Sequence, residues 1–460
     1  MLEDTIAAIA TPPGVGGIAV VRVSGPLAES IFHNLFRPKR PSSIPESHHL
    51  YHGDIVCPES GLIIDEVLTC LMRGPNSYTG EDVLEIHGHG GHILPQKVLS
   101  AVIRAGARPA AAGEFTRRAF LNGRMDLSQA EAVAELMTAQ TDRGMDMALA
   151  HLKGDLRRTA EKWIDGLTDC LAYLEAAIEF SEDGIEDPSS HTAIAEKLRN
   201  TAFELGRLAS TFDMGKIFLS GVRVVIAGRA NVGKSSLLNR LLGEKRAIVT
   251  SAPGTTRDFI EEPMDLSGIA VRLTDTAGIR ETSCEIEQAG IDLVWEKVDA
   301  ADAVLILLDG SEPLRDEDRQ ILIRCKSKPV LAVVNKEDLP RVLCDNEITV
   351  FTDGPPVWIS AKYDIGIDAL KAALHRRLVG APQAASDSPA VTITNLRHRI
   401  AIEKAEALIS QAAVTVASGV SYELAVADIH EAVDSLGEIS GRTLTDAVLD
   451  RIFSTFCIGK

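Results

Sequence analysis

Hydrophobic residues follow two different patterns along the chain, and the change between them marks its organisation. The run Ile18–Val23 is rich in β-branched residues and follows a Pro-Pro-Gly-Val-Gly-Gly turn, which predicts a strand. A second strand is predicted over Val83–Ile86, before a turn-rich segment at 87–91, and a helix over Leu94–Ala105. The first 120 residues therefore favour a mixed α/β domain.

Residues 121–217 change to the apolar spacing of helices. Ser128 and Glu131 fit a capping box, which predicts the start of a long helix. Apolar residues then recur three and four positions apart from Leu152 to Leu174, and a polar break precedes a further helix. This part of the chain is predicted to be helical throughout.

Residues 218–380 alternate short apolar strands with helical segments, which is typical of a parallel sheet covered by helices. A stretch rich in Ala, Pro, Ser and Thr at 381–394 is a predicted linker, and the chain is helical again up to residue 460. The four predicted strands are Val222–Ala227, Ala303–Leu308, Val330–Val334 and Val357–Ile359.

Two arrangements suit helical stretches on both sides of an α/β unit. The stretches 121–217 and 381–460 can form one helical domain with 218–380 inserted into it, or two separate helical domains. Either stretch alone would struggle to bury its apolar stripes. We therefore favour the insertion, with residues 1–120 as a separate N-terminal domain.

Composition and charge exclude several classes of protein. The chain has 460 residues, of which 45% are hydrophobic and 24% charged, so it is not a disordered chain. A formal net charge of −18 argues against general polyanion binding, so any nucleic-acid contact must be local or shared with a partner. Seven cysteines without a C-x-x-C pair favour a reducing compartment. With an acidic start and no apolar run of ~18 residues, we expect a cytoplasmic protein without membrane contact.

Four motifs, each at the end of a predicted strand, point to a guanine nucleotide. In Gly228–Ser235, which fits G-x-x-x-x-G-K-[ST], backbone N–H groups would cradle phosphates, Lys234 would reach the β/γ-phosphates and Ser235 would bind Mg²⁺. The other three are Asp275-Thr276-Ala277-Gly278, which follows a further predicted strand at Val271–Leu273, Asn335-Lys336-Glu337-Asp338 and Ser360-Ala361-Lys362. Their order along the chain predicts a Ras-like P-loop GTPase domain at 218–380.

The chemistry of guanine and of the γ-phosphate assigns further roles. The Asp338 carboxylate can accept two N–H groups that guanine offers, and Thr256 can present a hydroxyl to Mg²⁺. Position 279 is Ile where Ras-like GTPases carry the Gln that orients water, so that group must come from elsewhere. The predicted GTP contacts are Asn231, Val232, Gly233, Lys234, Ser235, Ser236, Thr250, Ser251, Ala252, Pro253, Gly254, Thr255, Thr256, Asp275, Thr276, Ala277, Gly278, Asn335, Lys336, Asp338, Ser360, Ala361 and Lys362.

Motifs throughout the chain resemble those of the bacterial tRNA wobble-uridine modification GTPases, the MnmE (TrmE) family. They are Ala10–Gly14 with Gly16-Gly17, Asn76–Asp82, Gly113–Thr116, Arg118–Asn122, the GTPase motifs and Phe456–Lys460. The resemblance implies an N-terminal domain that binds a tetrahydrofolate derivative, of formyl or methylene type, and forms a homodimer. It also implies a heterotetramer with the FAD-dependent partner MnmG, which acts on tRNA. The joint product would be a carboxymethylaminomethyl or aminomethyl group at C5 of the wobble uridine.

The resemblance also implies a folate site in residues far apart in sequence. Arg22, Glu85, Arg124 and Lys460 match the folate-contacting positions, although Arg124 stands where relatives can have Lys. Cys457 matches the terminal cysteine of the family, for which packing, thiol chemistry and a structural role near the folate all stay open.

A K⁺ site beside the phosphates is implied in the same way. Asn231, Thr250, Ala252 and Thr255 match its ligands, with Ala252 contributing a backbone carbonyl. Without the resemblance, Asn231 is better explained as a turn former. A cation there would stabilise transition-state charge as an arginine finger does. Glu287 matches the acid proposed to orient the attacking water.

The alternative function is a GTP switch that assembles ribosomes and modifies nothing. Such proteins normally carry a basic RNA-binding appendage, and the acidic flanks of this chain argue against one.

Overall fold

The computed structural model describes residues 4–40, 45–179, 188–243, 261–275, 295–379, 391–419 and 422–460. The chain divides into two compact units. One contains Met1–Ala134, His151–Pro188 and Ser418–Lys460, and the other contains Glu135–Ala150 and Ser189–Ala417. Each unit combines a sheet with helices, so the predicted mixture of α/β and helical structure is confirmed.

The elements alternate as the sequence patterns require. The strands are β1 (Ile6–Ile9), β2 (Ile18–Ser24), β3 (Phe36–Pro38), β4 (Leu50–Val56), β5 (Ile63–Met72), β6 (Val83–His89), β7 (Arg108–Pro109), β8 (Val222–Ala227), β9 (Glu261–Leu266), β10 (Ile269–Asp275), β11 (Ala303–Asp309), β12 (Val330–Asn335) and β13 (Val357–Trp358). The helices are α1 (Ala28–Leu35), α2 (Leu94–Arg104), α3 (Glu114–Leu121), α4 (Leu127–Thr138), α5 (Asp142–Leu152), α6 (Asp155–Glu179), α7 (Pro188–Ala209), α8 (Phe212–Ser220), α9 (Lys234–Leu242), α10 (Asp316–Arg324), α11 (Asp345–Thr349), α12 (Ile367–Val379), α13 (Leu396–Ser418), α14 (Tyr422–Ser440) and α15 (Asp446–Phe453).

The first unit is built on a seven-stranded sheet in the order β3-β4-β5-β6-β2-β1-β7. Its strand pairs are antiparallel except for β1 with β7. Helices α1 and α2 bury one face of the sheet against residues such as Val21, Leu84 and Ile86. Because successive side chains of a strand point to opposite faces, Arg22 and Glu85 lie on the other face.

Strand β6 extends beyond its predicted end at Ile86, through part of the segment predicted to be a turn. The carboxylate of Asp65 explains the extension, since it accepts hydrogen bonds from the backbone N–H of His89 at 2.8 Å and from its ring Nδ1 at 2.7 Å. An ideal Cβ at Gly88 would lie 2.5 Å from Asp65 Oδ2. Because Gly88 has no Cβ, strand β6 can run close to the Asp65 carboxylate.

Helix α4 begins with a different capping box from the predicted one. Asp126 Oδ1 accepts the backbone N–H of Gln129 at 3.0 Å, and Gln129 Oε1 accepts the backbone N–H of Asp126 at 3.0 Å. Ser128 donates its hydroxyl to Asp126 Oδ1 at 2.5 Å instead of capping the helix itself. The predicted pair Ser128 and Glu131 is therefore wrong by two residues, because an aspartate accepts these bonds as well as a serine does.

The second unit is built on a six-stranded sheet in the order β13-β12-β11-β8-β10-β9. Strands β8 and β10 to β13 are parallel, and β9 is an antiparallel edge strand. Helices α8, α9 and α12 contribute buried residues to one face of the sheet, and α10 and α11 to the other. This three-layer arrangement confirms the predicted βαβ rhythm, and the four predicted strands agree with β8, β11, β12 and β13 to within one residue at each end.

The two helical stretches that flank the α/β segment contact each other inside both units. In the first unit α6 packs along α14, with Glu175 accepting a hydrogen bond from His430 at 3.1 Å. In the second, the backbone N–H of Ile393 donates to Thr211 Oγ1 at 3.0 Å. Both flanks therefore contribute helices to each unit, and the insertion arrangement stays a prediction. Among the described helices, none is long and apolar enough to cross a bilayer.

Candidate functional site

The predicted nucleotide motifs lie along one edge of the second sheet. The phosphate loop follows β8, Asp275 ends β10, Asn335 ends β12, and Ser360 follows β13. Strand β10 lies on one side of β8 and β11 lies on the other, so the order in which strands are added to the sheet reverses at β8. Ligands of open α/β sheets bind in such a crevice at the carboxyl ends of the strands.

Glycine shapes the phosphate loop at two points. Gly228 and Gly233 have φ angles of +154° and +100°. An ideal Cβ would lie 2.5 Å from the carbonyl oxygen of Leu307 at the first position and 2.4 Å from Nδ2 of Asn335 at the second. Asn231, with φ +64°, is the non-glycine residue of this loop in the left-handed region. The loop therefore packs too closely on neighbouring strands for other side chains at its glycines.

Lys234 opens α9 and folds back over the loop. Its Nζ donates to the carbonyl oxygens of Gly228 at 2.9 Å and Arg229 at 2.8 Å, and the residue is buried. A positive charge is thereby held at a helix N-terminus, where backbone N–H groups favour anions. This geometry suits a bound phosphate chain.

Ser235 and Asp275 join the first two motifs. Ser235 Oγ donates to Asp275 Oδ2 at 2.7 Å. Hydroxyl and carboxylate oxygens are the hard donors that Mg²⁺ prefers, alongside water and phosphate oxygens. The two side chains fit a shared Mg²⁺ site, in which Ser235 would bind the ion and Asp275 would hold its outer shell.

Asn335 connects the phosphate loop to the loop after β13. Its Nδ2 donates to the carbonyl oxygen of Val232 at 2.8 Å, and its Oδ1 accepts the backbone N–H of Ala361 at 3.0 Å. Since Asn335 is buried, it acts as an internal clamp between the two loops.

Asp338 and Ser360 form the pair that suits recognition of a base. Ser360 is buried and donates its hydroxyl to Asp338 Oδ1 at 2.6 Å, while Asp338 is exposed. A carboxylate has about four acceptor positions, so this bond fixes its plane and leaves positions for guanine N–H groups. Arg240 of α9, which the sequence reasoning missed, donates to the carbonyl oxygens of Ala361 at 3.2 Å and Lys362 at 3.1 Å. Arg240 lies in the last turn of α9, outside every motif that the sequence reasoning used.

Some of the remaining predicted contacts lie within the described part of the chain, and the others lie outside it. Val232 and Gly233 belong to the phosphate loop, Ser236 is exposed in the first turn of α9, and Lys362 is exposed after β13. The predicted residues that lie outside the described part are Thr250, Ser251, Ala252, Pro253, Gly254, Thr255, Thr256, Thr276, Ala277, Gly278 and Glu287.

A second constellation lies on the open face of the first sheet. Arg22 and Glu85 are directly opposite each other on β2 and β6, and Arg22 Nε donates to Glu85 Oε1 at 2.9 Å. His87 Nε2 lies 3.2 Å from the other carboxylate oxygen. The hydrogen bond with His87, together with the Arg22 charge, holds the pKa of Glu85 below its usual range despite burial. The Glu85 carboxylate is therefore ionised near neutral pH.

The chain's tail docks beside this pair. The carbonyl oxygen of Gly459 lies 3.5 Å from Arg22 Nη1, and the carbonyl oxygen of Lys460 accepts the backbone N–H of Phe115 at 3.2 Å. Gly459 has φ +92°, and an ideal Cβ there would lie 2.5 Å from the carbonyl oxygen of Ile9. Cys457 is exposed, and its carbonyl oxygen accepts the backbone N–H of Gly113 at 3.4 Å.

Aromatic rings and a further arginine surround the pair. The guanidinium carbon of Arg22 lies 5.3 Å from the ring centre of Tyr78 and 5.9 Å from that of Phe115. Burial raises the pKa of Tyr78, so its hydroxyl stays protonated near neutral pH. Arg124 is exposed, and its side chain runs past Gly80, where an ideal Cβ would lie 3.2 Å from its Cγ. The structure thus brings Arg22, Glu85 and the tail together, with Arg124 beside the loop that carries Tyr78.

A buried ion network supports this constellation. Arg118 is fully buried and contacts Asp4 at 2.8 Å, Glu81 at 3.1 Å and Glu114 at 3.2 Å. Arg108 contacts Glu114 at 2.5 Å. Such a network links β1, the loop before β6 and α3. Removal of Arg118 would leave Glu81 without this ion-pair partner, whereas Arg108 would still pair with Glu114.

The chain is similar to known proteins along its whole length. Two family models match: "MnmE helical domain" over residues 127–457 and "GTP-binding protein TrmE N-terminus" over residues 5–124. Proteins described as tRNA modification GTPase MnmE are similar along their full length. That of Syntrophus aciditrophicus (strain SB) is 50% identical, that of Geobacter metallireducens 45% and that of Natranaerobius thermophilus 43%, each covering 100% of both chains. A solved structure of an Aquifex aeolicus Era variant bound to GDP·AlF4⁻ is 28% identical over 41% of this chain and 67% of its own, with a TM-score of 0.27, too low to support an argument.

Proposed function

Because the chain belongs to the MnmE family of tRNA modification GTPases, we propose that its GTP hydrolysis serves addition of a carboxymethylaminomethyl or aminomethyl group at C5 of the tRNA wobble uridine. The chain is a GTP-hydrolysing enzyme of tRNA modification, and GTP is its substrate. Two sites in one chain carry the proposal. One is the row of nucleotide motifs at the edge of the second sheet, called the nucleotide edge. The other is the pair of Arg22 and Glu85 with the docked tail, called the arginine–carboxylate site or second site.

The nucleotide edge would bind GTP through its four motifs. The phosphate loop and Lys234 would hold the phosphates, and Asp338, fixed by Ser360, would accept guanine N–H groups. Mg²⁺ would bind Ser235 and, in the GTP state, Thr256, and it would neutralise charge on the β- and γ-phosphates. Glu287 would orient the attacking water in place of the Gln that the chain lacks.

K⁺ stimulation is part of the proposal. Asn231 has a left-handed backbone and is exposed at the phosphate loop, and its amide oxygen would be one ligand of the cation. The remaining ligands would be Thr250, Ala252 and Thr255. The cation would supply the positive charge that an arginine finger supplies in other GTPases.

The second constellation would bind a tetrahydrofolate derivative of formyl or methylene type. A pterin ring presents paired N–H donors, and the ionised Glu85 carboxylate is a bidentate acceptor for them. Arg22, Arg124 and Lys460 would meet the carboxylates or the carbonyl of the ligand, and Tyr78 and Phe115 offer aromatic surface beside Arg22. Cys457 is close enough along the tail to serve the chemistry or the docking.

The proposed organisation follows from the same family membership. Residues 1–120 would bind folate and form a homodimer, residues 121–217 and 381–460 would form the helical domain, and 218–380 would be the inserted GTPase domain. The homodimer would join the FAD-dependent MnmG in a heterotetramer that binds tRNA in the cytoplasm.

Tail truncation tests this proposal with two readouts. A deletion strain is complemented with the full chain or with a chain lacking Cys457–Lys460, and tRNA nucleosides are measured by mass spectrometry. We expect the truncated chain to lose the modified wobble uridine completely while the purified protein hydrolyses GTP at nearly the full rate. The reason is that Gly459 and Lys460 contact Arg22 and Phe115 inside the first unit, which holds the proposed folate site.

Matched cysteine variants separate the thiol of Cys457 from the backbone of the tail. Cys457→Ser is compared with Cys344→Ser, since both cysteines are exposed. Loss of modification in Cys457→Ser alone would indicate thiol chemistry.

Full modification by the truncated chain would refute the folate site. Normal tRNA together with defective ribosomal subunits in the deletion strain would favour the ribosome-assembly function instead.

A further inference from the structure

A buried acid lies between the two halves of the nucleotide edge. Asp309 ends the apolar strand β11, is 5% exposed, and lies directly opposite Asn335 in the register of β11 with β12. The next residue, Gly310, donates its backbone N–H to the carbonyl oxygen of Asn335 at 2.9 Å. The carboxylate is thus fixed beside the motif proposed to read guanine.

Both oxygens of Asp309 are engaged. Oδ1 accepts the backbone N–H of Ser311 at 3.0 Å and its hydroxyl at 2.6 Å. Oδ2 accepts a hydrogen bond from Lys336 Nζ at 2.6 Å and lies 3.8 Å from Arg229 Nη2. Burial would raise the pKa of Asp309, but the bonds from Lys336 and Ser311 outweigh it and hold that pKa below its usual value. The side chain is therefore a carboxylate that pairs with two cationic side chains, Arg229 and Lys336.

The first of these cations belongs to the phosphate loop. Arg229 is the second residue of the G-x-x-x-x-G-K-[ST] motif, and its carbonyl oxygen accepts a hydrogen bond from Lys234 Nζ. Its guanidinium is largely buried and contacts Glu312 at 2.5 Å and Asp318 at 3.4 Å. The loop is anchored through this residue to the carboxyl end of β11.

The second cation belongs to the guanine motif. Lys336 stands between Asn335 and Asp338 and has φ +67°, a conformation that lysine rarely adopts. This backbone turns its side chain towards β11, where the ion pair with Asp309 holds the ammonium group. A lysine fixed at its tip presents one ordered apolar stem beside the base position. An untethered stem would have to be ordered when nucleotide binds.

We infer that Asp309 is a positioning residue for guanine-nucleotide binding, which fixes Lys336 beside the base and forms a longer ion pair with Arg229 of the phosphate loop. This inference rests on the guanine site proposed above. It predicts that Asp309 acts on nucleotide affinity through Lys336, although Asp309 itself does not reach the nucleotide.

A double-mutant cycle in nucleotide affinity tests the coupling. The full chain, Asp309→Asn, Lys336→Met and the double variant are titrated with GDP, and the purified proteins are assayed for GTP hydrolysis. Asp309→Asn keeps the shape of the side chain and an acceptor for Ser311 while it removes the charge. We expect about 10-fold weaker GDP binding for each single variant, because each frees the side chain at position 336, which must then be ordered when nucleotide binds. The double variant should bind within about 3-fold of the weaker single variant.

The matched control is Asp353→Asn, which breaks an exposed ion pair with Arg377 in the same unit. Its GDP affinity should stay within about 2-fold of the full chain, since exposed ion pairs contribute little. For Asp309→Asn the KM for GTP should rise by a larger factor than kcat falls, because Asp309 orders the binding site. A purely structural role would lower thermal stability without this split.

Each outcome decides between defined possibilities. If the losses of the two single variants multiply in the double variant, Asp309 does not act through Lys336 and the inference is wrong. If Asp309→Asn fails to fold, Lys336→Met remains decisive: unchanged GDP affinity in that variant overturns the inference. If Asp338→Asn leaves guanine binding intact, the proposed guanine site fails as well. Loss in Asp338→Asn with none in Asp309→Asn refutes the positioning role only.

Discussion

The nucleotide edge and the arginine–carboxylate site would both bind a charged ligand, but they are built from different parts of the chain. The nucleotide edge uses loops of consecutive residues, such as Gly228–Ser235, at the carboxyl ends of parallel strands. The second site uses side chains from separate strands, Arg22 and Glu85, and a carbonyl oxygen from Gly459, which lies 437 positions from Arg22.

This difference decides how each site tolerates change. Backbone N–H groups in the phosphate loop are present whatever the side chains, so the loop depends on its glycines and on a few anchors such as Asn335. The second site depends on side-chain chemistry at each position, and on an antiparallel register that sets Arg22 against Glu85. A one-residue slip of β2 would turn Arg22 into the core.

We expect the largest loss of affinity at Asp338, because the nucleotide edge depends on this side chain to recognise guanine. Asp338→Asn should weaken GDP binding by about 100-fold or more, since an amide N–H₂ would face guanine N–H donors. Xanthosine diphosphate carries a carbonyl at C2 in place of the amino group, so its affinity should rise in the same variant. Titration with both nucleotides checks this. Equal loss for both would show that the variant is merely damaged.

The second site should show its dependence on charge at Glu85. Glu85→Gln should weaken binding of a tetrahydrofolate derivative by about 30-fold, because it removes the ionised acceptor and the partner of Arg22. Glu66→Gln is the matched control, since Glu66 also accepts a hydrogen bond from a histidine, His52, on the same sheet. Calorimetric titration of both variants measures the difference, and equal affinities would remove Glu85 from the site.

A cation at Asn231 would add a second positive charge beside that of Lys234 at the phosphate loop. GTP turnover should then be about 10-fold faster in KCl than in NaCl at equal ionic strength, a difference of about 1.4 kcal/mol in the barrier. Asn231→Gly keeps the left-handed backbone and removes the amide, so the preference for KCl should vanish. Asn239→Ala, at an exposed position of α9, should retain it. A preserved preference in Asn231→Gly would reduce Asn231 to a turn former.

The smallest effect expected concerns the docking of the tail. Gly459→Ala should destabilise the docked tail by at least about 1 kcal/mol, since its Cβ would approach the carbonyl oxygen of Ile9 at a position with positive φ. Faster amide hydrogen exchange at Phe115, by about 5-fold, measures this. Gly61→Ala, with φ +67° but open space around its Cβ, should leave that exchange rate unchanged. The same protection in both variants would contradict close docking.

Sequence reasoning succeeded where structure is local. The phosphate loop and the strands of the second sheet follow from contiguous patterns, whereas the pairing of Arg22 with Glu85 depends on a register that periodicity does not specify. The family resemblance named both residues as folate contacts, but their pairing with each other was not predicted. Asp309 also ends an apolar strand but was missed, because, unlike Asp275, it belongs to no recognised nucleotide motif. Its role emerges only with the left-handed backbone at Lys336, which no local pattern announces.

The docking of Gly459 beside Arg22 ties the second site to the order of protein synthesis. A ribosome adding about 5–20 residues per second needs roughly 20–90 s between these two positions. The nascent first sheet can pair Arg22 with Glu85 early, while both segments of the other unit, Glu135–Ala150 and Ser189–Ala417, are made before the tail. A chain that stops early would therefore carry the nucleotide edge without a finished second site. The carbonyl of Gly459 thus makes the second site depend on translation having passed that position.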